Sequence, residues 1–189
     1  MGDVLGGTYA LTVMAPIVRG RETDLREYLE RQPIGRESPL ARLERTHMAR
    51  WVIVPQLYYQ GPPQKPDSLK YEWLVFTSDF DGGLDGYLDD VCEHMSAEAD
   101  EIWGHCVGYP GAADRDAFKR YMRHNQVHTT VPFGAYPEST VAEVRESLRL
   151  RERLIAFAVE AQGMDPVELY EAYRSAFAKE PTTRGVNLP

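Results

Sequence analysis

His47, Arg50, Asp81 and His105 are the side chains whose types and positions suit acid, base or ligand chemistry. An imidazole at position 47, beside Trp51 in an apolar run, fits general acid or base work near neutral pH. Arg50 stands between Met48 and Val52, so its guanidinium needs an acidic partner or an anionic ligand. Asp81 lies in the turn Asp79-Phe80-Asp81-Gly82-Gly83, where it could cap the following helix or move a proton. His105 precedes Cys106 directly, so in extended backbone the two side chains point to opposite faces and cannot share a metal. His105 is the metal-ligand candidate, its alternative being a hydrogen bond to the acidic turn around Asp79 and Asp81. Cys106 reads as a small buried hydrophobe. Tyr87 and Tyr109 are core or wall residues with a hydroxyl that could reach a ligand. His94 is a secondary ligand candidate at a helix end, and His124 and His128 show no metal-ligand spacing.

These side chains need regular elements to hold them. Ala10 to Ile17 reads as a first strand and Glu22 to Arg31 as a helix with Leu25, Tyr28 and Leu29 on one face. A strand over Thr46 to Val54 places His47, Ala49, Trp51 and Ile53 on one face and Met48, Arg50, Val52 and Val54 on the other. The loop Pro55 to Lys70 is longer than a hairpin needs and rich in proline. A strand from Trp73 to Phe76, the acidic turn and an amphipathic helix with Leu84, Tyr87, Leu88, Val91, Cys92 and Met95 follow. A helix over Asp116 to His124 and a fourth strand over Val127 to Tyr136, with Pro132 marking an edge or bulge, complete a first domain spanning 1–137. Residues 138–189 read as a C-terminal helical extension on the same domain. Thr140 and Glu143 form a capping box, and Asp165-Pro166 opens the last helix.

The composition narrows the function classes. The chain has 189 residues, 43% of them apolar, which suits an ordinary core. Its formal charge of −8 would repel nucleic-acid phosphates, so no nucleic-acid partner is expected. No run approaches the roughly 20 apolar residues of a membrane helix, and the two cysteines fit a reducing, cytoplasmic location. No glycine-rich loop sits between strand and helix as nucleotides require, which disfavours NAD and ATP. A flavin leaves no short signature and stays open.

Strand, helix, strand, strand, helix, strand is the split pattern of an α+β, ferredoxin-like βαββαβ antiparallel sheet. Helices cover one face of such a sheet. The other, expected to carry Trp51 or Trp73, would be covered by a second copy, which predicts a homodimer with the long loop reaching across, the alternative being the C-terminal helices of the same chain. The order resembles the dimeric α+β barrel superfamily that includes dye-decolourising peroxidases, chlorite dismutase-like haem proteins and small cofactor-free monooxygenases. Thr46-His47-Met48-Ala49-Arg50-Trp51, Phe80-Asp81-Gly82, Tyr87-Leu88-Asp89-Asp90 and Ile102 to Pro110 are similar to a bacterial and fungal group within it. Gly82-Gly83-Leu84-Asp85-Gly86 also resembles the peroxidases' G-x-x-D-G motif, whose aspartate lies on the distal side of haem.

Three functions follow as expectations. In the first, a small-molecule oxidoreductase binds haem between sheet and helices, with His105 on the iron and Arg50, Trp51, Tyr87 and Tyr109 around the cofactor; Arg50 or His47 handles oxygen. In the second, a cofactor-free monooxygenase or cyclase acts on an aromatic or polyketide-like substrate through His47 and Asp81. In the third, a non-catalytic ligand-binding dimeric module pairs His47, Arg50 and His105 fully with protein groups.

Overall fold

The structure is a computed structural model and describes residues 2–65 and 67–177. Its centre is a four-stranded antiparallel sheet of β1 (Val4–Leu5), β2 (Thr8–Pro16), β3 (Thr46–Val54) and β4 (Trp73–Asp81), in the spatial order β1-β2-β4-β3. Period two sorts the side chains cleanly. Tyr9, Leu11, Val13 and Ala15 of β2 lie in register with Phe80, Ser78, Phe76 and Leu74 of β4, and Thr46, Ala49, Trp51 and Ile53 of β3 complete that inner face. Three helices supply its cover: α2 (Leu84–His94) buries Tyr87, Leu88 and Val91, α3 (Ser96–Trp103) buries Ile102 and Trp103, and α4 (Arg115–His124) buries Phe118 and Met122. Helix α1 (Glu22–Glu30) anchors beside α3 through Leu25, the one residue it buries completely.

The inner layer is an aromatic stack. Phe80 lies 3.7 Å from the Tyr87 ring at 3° and 5.3 Å from Tyr9, while Trp103 meets Phe76 edge-on at 5.3 Å and Phe118 at 6.1 Å. Such pairs add about 0.5–1.5 kcal/mol each beyond the area they bury. Within this layer Ser78 and Tyr87 satisfy each other, Ser78 Oγ lying 2.8 Å from the Tyr87 hydroxyl.

The elements depart from the sequence expectation at three places. Strand β4 continues five residues past Phe76, so the acidic turn begins inside the sheet. The helix expected through Met95 breaks there, and α3 starts at Ser96. Residues 127–136 form no strand. Only Gln126 bridges Val13, with Val127 N–H donating to Thr12 O and the Thr129 hydroxyl to Ala10 O, because Pro132 removes a ladder donor and the two residues of β1 already take the next stretch of β2. Asp3 holds that segment in place, accepting from Thr129 N–H at 2.6 Å, with His128 Nδ1 2.7 Å away.

The chain divides into two compact units, 1–142 and 143–189. Helix α5 (Val141–Glu160) begins in the first and supplies the second with α6 (Pro166–Phe177), where Phe157, Tyr173 and Phe177 cluster within 6.0 Å. Asp165 caps α6 as its sequence implies, accepting from Val167 and Glu168 N–H. Among the described residues no helix is long and apolar enough to cross a membrane.

Candidate active site

The outer face of the sheet is built in rows that strand register fixes. Thr12, Thr77 and Arg50 make one row; Ala10, Asp79 and Met48 make the next; Thr8 and Asp81 make the third. In the opposite direction the rows turn apolar, first Met14, Val75 and Val52, then Pro16, Trp73 and Val54. The face therefore runs from an ionisable end to an apolar end.

His47 reaches this face through an irregularity. The β3–β4 register slips between Thr46, which faces Phe80, and Met48, which faces Asp79, leaving His47 as an extra residue. A one-residue bulge redirects a side chain. His47 is thus not on the Trp51 face as strict alternation implies, and it shares the outer face with Arg50. Its Nε2 lies 2.8 Å from Asp81 Oδ1, with the side chains 25% and 16% exposed. A carboxylate only accepts, so Nε2 carries the hydrogen and Nδ1 of the neutral ring keeps a free lone pair. The second oxygen of Asp81 accepts from Val141 N–H at 2.8 Å, at the start of α5. Asp81 does not cap α2, whose N-cap is Gly83. Both its oxygens are spent on orienting His47 and closing the helix start.

Arg50 uses one donor, Nε to Thr77 Oγ1 at 3.2 Å. Among the described residues its terminal nitrogens have no partner, and it forms no ion pair with Asp79 one row away. Asp79 accepts no hydrogen bond from a described residue, although it is half-buried. Burial pushes its carboxyl above the ordinary range, against the opposing charges of His47 and Arg50. Sequence reasoning missed Asp79 and Thr77 as site residues because it ended the strand at Phe76. Had Thr77-Ser78-Asp79-Phe80-Asp81 been counted as strand, period two would have set Thr77, Asp79 and Asp81 on one face.

The remaining candidates lie elsewhere. Trp51 is on the inner face, 5.2 Å from Phe76 and 6.4 Å from Trp103, so it does not cover the outer one; the indole N–H groups of Trp51 and Trp103 are enclosed with no acceptor among the described residues. Burial raises the Tyr87 phenol, and Tyr87 serves the core. Tyr109 donates to Asp100 Oδ1 at 2.8 Å, which also accepts from Ala112 N–H and so ties the loop after α3. Burial and that carboxylate push the Tyr109 phenol up. His105, 6% exposed, donates from Nδ1 to Glu101 O at 2.6 Å, not to Asp79 or Asp81. Burial pushes the Cys106 thiol up to about 12, which makes it inert as a nucleophile. Asp85 sits on the exposed side of α2, paired with Lys119 and Arg123 of α4. His94 lines a groove of about 800 Å³ with Arg42, Glu44, Arg45, Asp90 and Glu93, in which Arg45 is paired to Asp90.

Haem requires an open slot beside its ligand. The layer between sheet and helices is filled by Phe76, Phe80, Tyr87, Trp103 and Phe118, none more than 2% exposed. The residues present do not fit a haem there. Among the described residues no three His, Cys, Asp or Glu side chains converge as a metal site. No known protein family, curated protein or solved structure matches this chain.

Proposed function

We propose that the protein is a cofactor-free enzyme that begins by removing a proton from a small aromatic or polyketide-like substrate, a monooxygenase or cyclase working on the outer face of its sheet. The 2.8 Å pairing of His47 with Asp81, on the same face as Arg50 and Asp79, carries this proposal. His47 Nδ1 accepts the proton and Asp81 stabilises the imidazolium that forms, a pairing able to contribute about 10²–10⁴ in rate. The terminal N–H groups of Arg50 face the negative charge left on the substrate oxygen. The carbanion then closes a ring by attacking a second carbonyl of the same molecule, whose π pair becomes an alkoxide and takes the proton back from His47, or reacts with dioxygen so that a CH₂ becomes C=O and the second oxygen atom leaves as water.

The architecture we propose for this work is the ferredoxin-like barrel, the segment 125–129 lying along β2 where a fourth strand of that fold would lie. A homodimer would cover the outer face. Met48 is 65% and Val52 43% exposed there, and β3 is an unpaired edge strand nine residues long. Both kinds of exposure invite a second copy.

The test is turnover of a panel of enolisable phenols and ketones by purified protein, followed by absorbance and oxygen uptake, with His47→Ala beside it. Turnover by the wild type that falls by roughly 10² or more in the variant supports a general base. Equal rates in the two proteins overturn it. An absorption spectrum with one equivalent of haemin checks the haem alternative, since a Soret band lost in His105→Ala would replace this proposal.

A further inference from the structure

We infer that the outer face takes a small oxo-acid anion and moves its proton between carbon and oxygen, with Arg50 on the carboxylate, His47 as the base and Asp79 as a second proton-transfer group. This deepens the proton-abstraction proposal and rests on it. The observation behind it is an arginine and an aspartate placed side by side with no bond between them. Asp79 and Arg50 occupy adjacent rows, with side chains stepping about 7 Å along a strand at every second residue. Their charges act on one another, yet no bond joins them and Arg50 turns its Nε to Thr77. A half-buried carboxyl with an exposed guanidinium one row away normally draws it into a pair, because a carboxylate taken partly out of water without a partner is costly. A ligand that bridges them accounts for both vacancies. Among the half-buried aspartates of this unit Asp3, Asp81 and Asp90 accept hydrogen bonds and Asp89 pairs with Lys119, whereas Asp79 does neither with any described residue.

The neighbours of Asp79 leave it room. Ala10 contributes only a methyl group on the β2 side, Met48 lies on the β3 side, and His47 and Arg50 are the titratable or charged groups that β3 turns toward it. Arg50 keeps its terminal nitrogens for a carboxylate, which a guanidinium grips with two parallel bonds. An oxo-acid anion held there presents the carbon next to its carbonyl to His47. The C–H bond breaks, its proton goes to His47 Nδ1, and its electron pair forms a C=C bond as the carbonyl oxygen becomes an enolate. Asp79, in its acid form, gives a proton to that oxygen. Nothing is oxidised or reduced, and His47 returns its proton to Asp79 through solvent. The burial that raises Asp79 enlarges the fraction in the acid form.

Phenylpyruvate and acetoacetate in D₂O under anaerobic conditions, followed by NMR for exchange of the C–H beside the carbonyl, provide the test. Wild type should catalyse exchange, Asp79→Asn should slow it roughly tenfold or more with KM unchanged, and Arg50→Met should raise KM for the anions by a larger factor than it slows exchange of phenylacetone, which lacks the carboxylate. Circular dichroism confirms that each variant is folded, and Asp79→Glu should restore part of the rate. Absence of exchange by folded wild type, or undiminished exchange in Asp79→Asn, overturns the inference. If exchange is absent but oxygen uptake on a neutral phenol still depends on His47, the inference falls alone; if neither activity depends on His47, the base proposal falls with it.

Discussion

The two faces of one sheet, a backbone thickness apart, solve opposite problems. On the inner face Phe76, Phe80, Tyr87 and Trp103 each meet a partner ring and the Ser78 and Tyr87 hydroxyls satisfy each other, the indole N–H groups of Trp51 and Trp103 being the polar atoms left over among the described residues. On the outer face Asp79 and the terminal nitrogens of Arg50 have no hydrogen bond among the described residues, and Met48 and Val52 face solvent. The same β4 residues alternate between the two regimes, Phe76, Ser78 and Phe80 inward and Thr77, Asp79 and Asp81 outward. The inner face carries stability and leaves the outer face free to keep strained or unsatisfied groups, a division expected where function opposes packing.

Truncating the inner face should have the largest effect. Phe80→Ala removes a ring stacked between Tyr9 and Tyr87 at a fully buried position, so it should lower unfolding free energy by about 3–5 kcal/mol. Urea denaturation measures this. A loss under about 1 kcal/mol would mean that the stack is loosely packed and the contrast between faces is overdrawn. His47→Ala, on the outer face, should reverse the pattern. It should cost roughly 10² or more in turnover and little in denaturation midpoint, since Asp81 keeps its bond from Val141 N–H.

Much of the inner face was legible in the sequence, and the outer face was not, for identifiable reasons. Strand β3 begins and ends where its β-branched and aromatic residues do, and Leu84, Tyr87, Leu88 and Val91 recur at helical spacing and are the residues α2 turns to the core. Hydrophobic periodicity reports burial directly. The bulge at His47 has no compositional mark. It depends on how Thr46 and Met48 pair with a strand thirty residues later, and a one-residue slip changes which face a side chain joins. Asp79 was hidden differently, because an aspartate after an apolar run looks like the start of a turn. The absent strand at 127–136 shows the converse, since Val131 and Phe133 are strand-forming residues that the structure leaves exposed.

The finest test of the comparison sets two aspartates against each other. At Asp3, burial opposes ionisation but the bonds with His128 and from Thr129 outweigh it and hold the carboxyl below 3.8. At Asp79, burial prevails over the attraction of His47 and Arg50 and the carboxyl lies above 3.8. The signs of their linkage to folding are therefore opposite. Asp3 lends stability that is present above pH 3.8 and is lost as pH falls through its lower folded value. Asp79 costs stability that is absent below pH 3.8 and grows as pH rises through its higher folded value. At pH 7 the Asp3→Asn variant should melt below wild type and Asp79→Asn above it, and both differences should shrink toward zero in acid. Thermal midpoints measured from pH 3 to pH 8 decide the matter. A lower midpoint for Asp79→Asn at neutral pH would mean that the carboxylate is held in a closed pair with Arg50, and the contrast between the two faces would shrink to the exposure of Met48 and Val52.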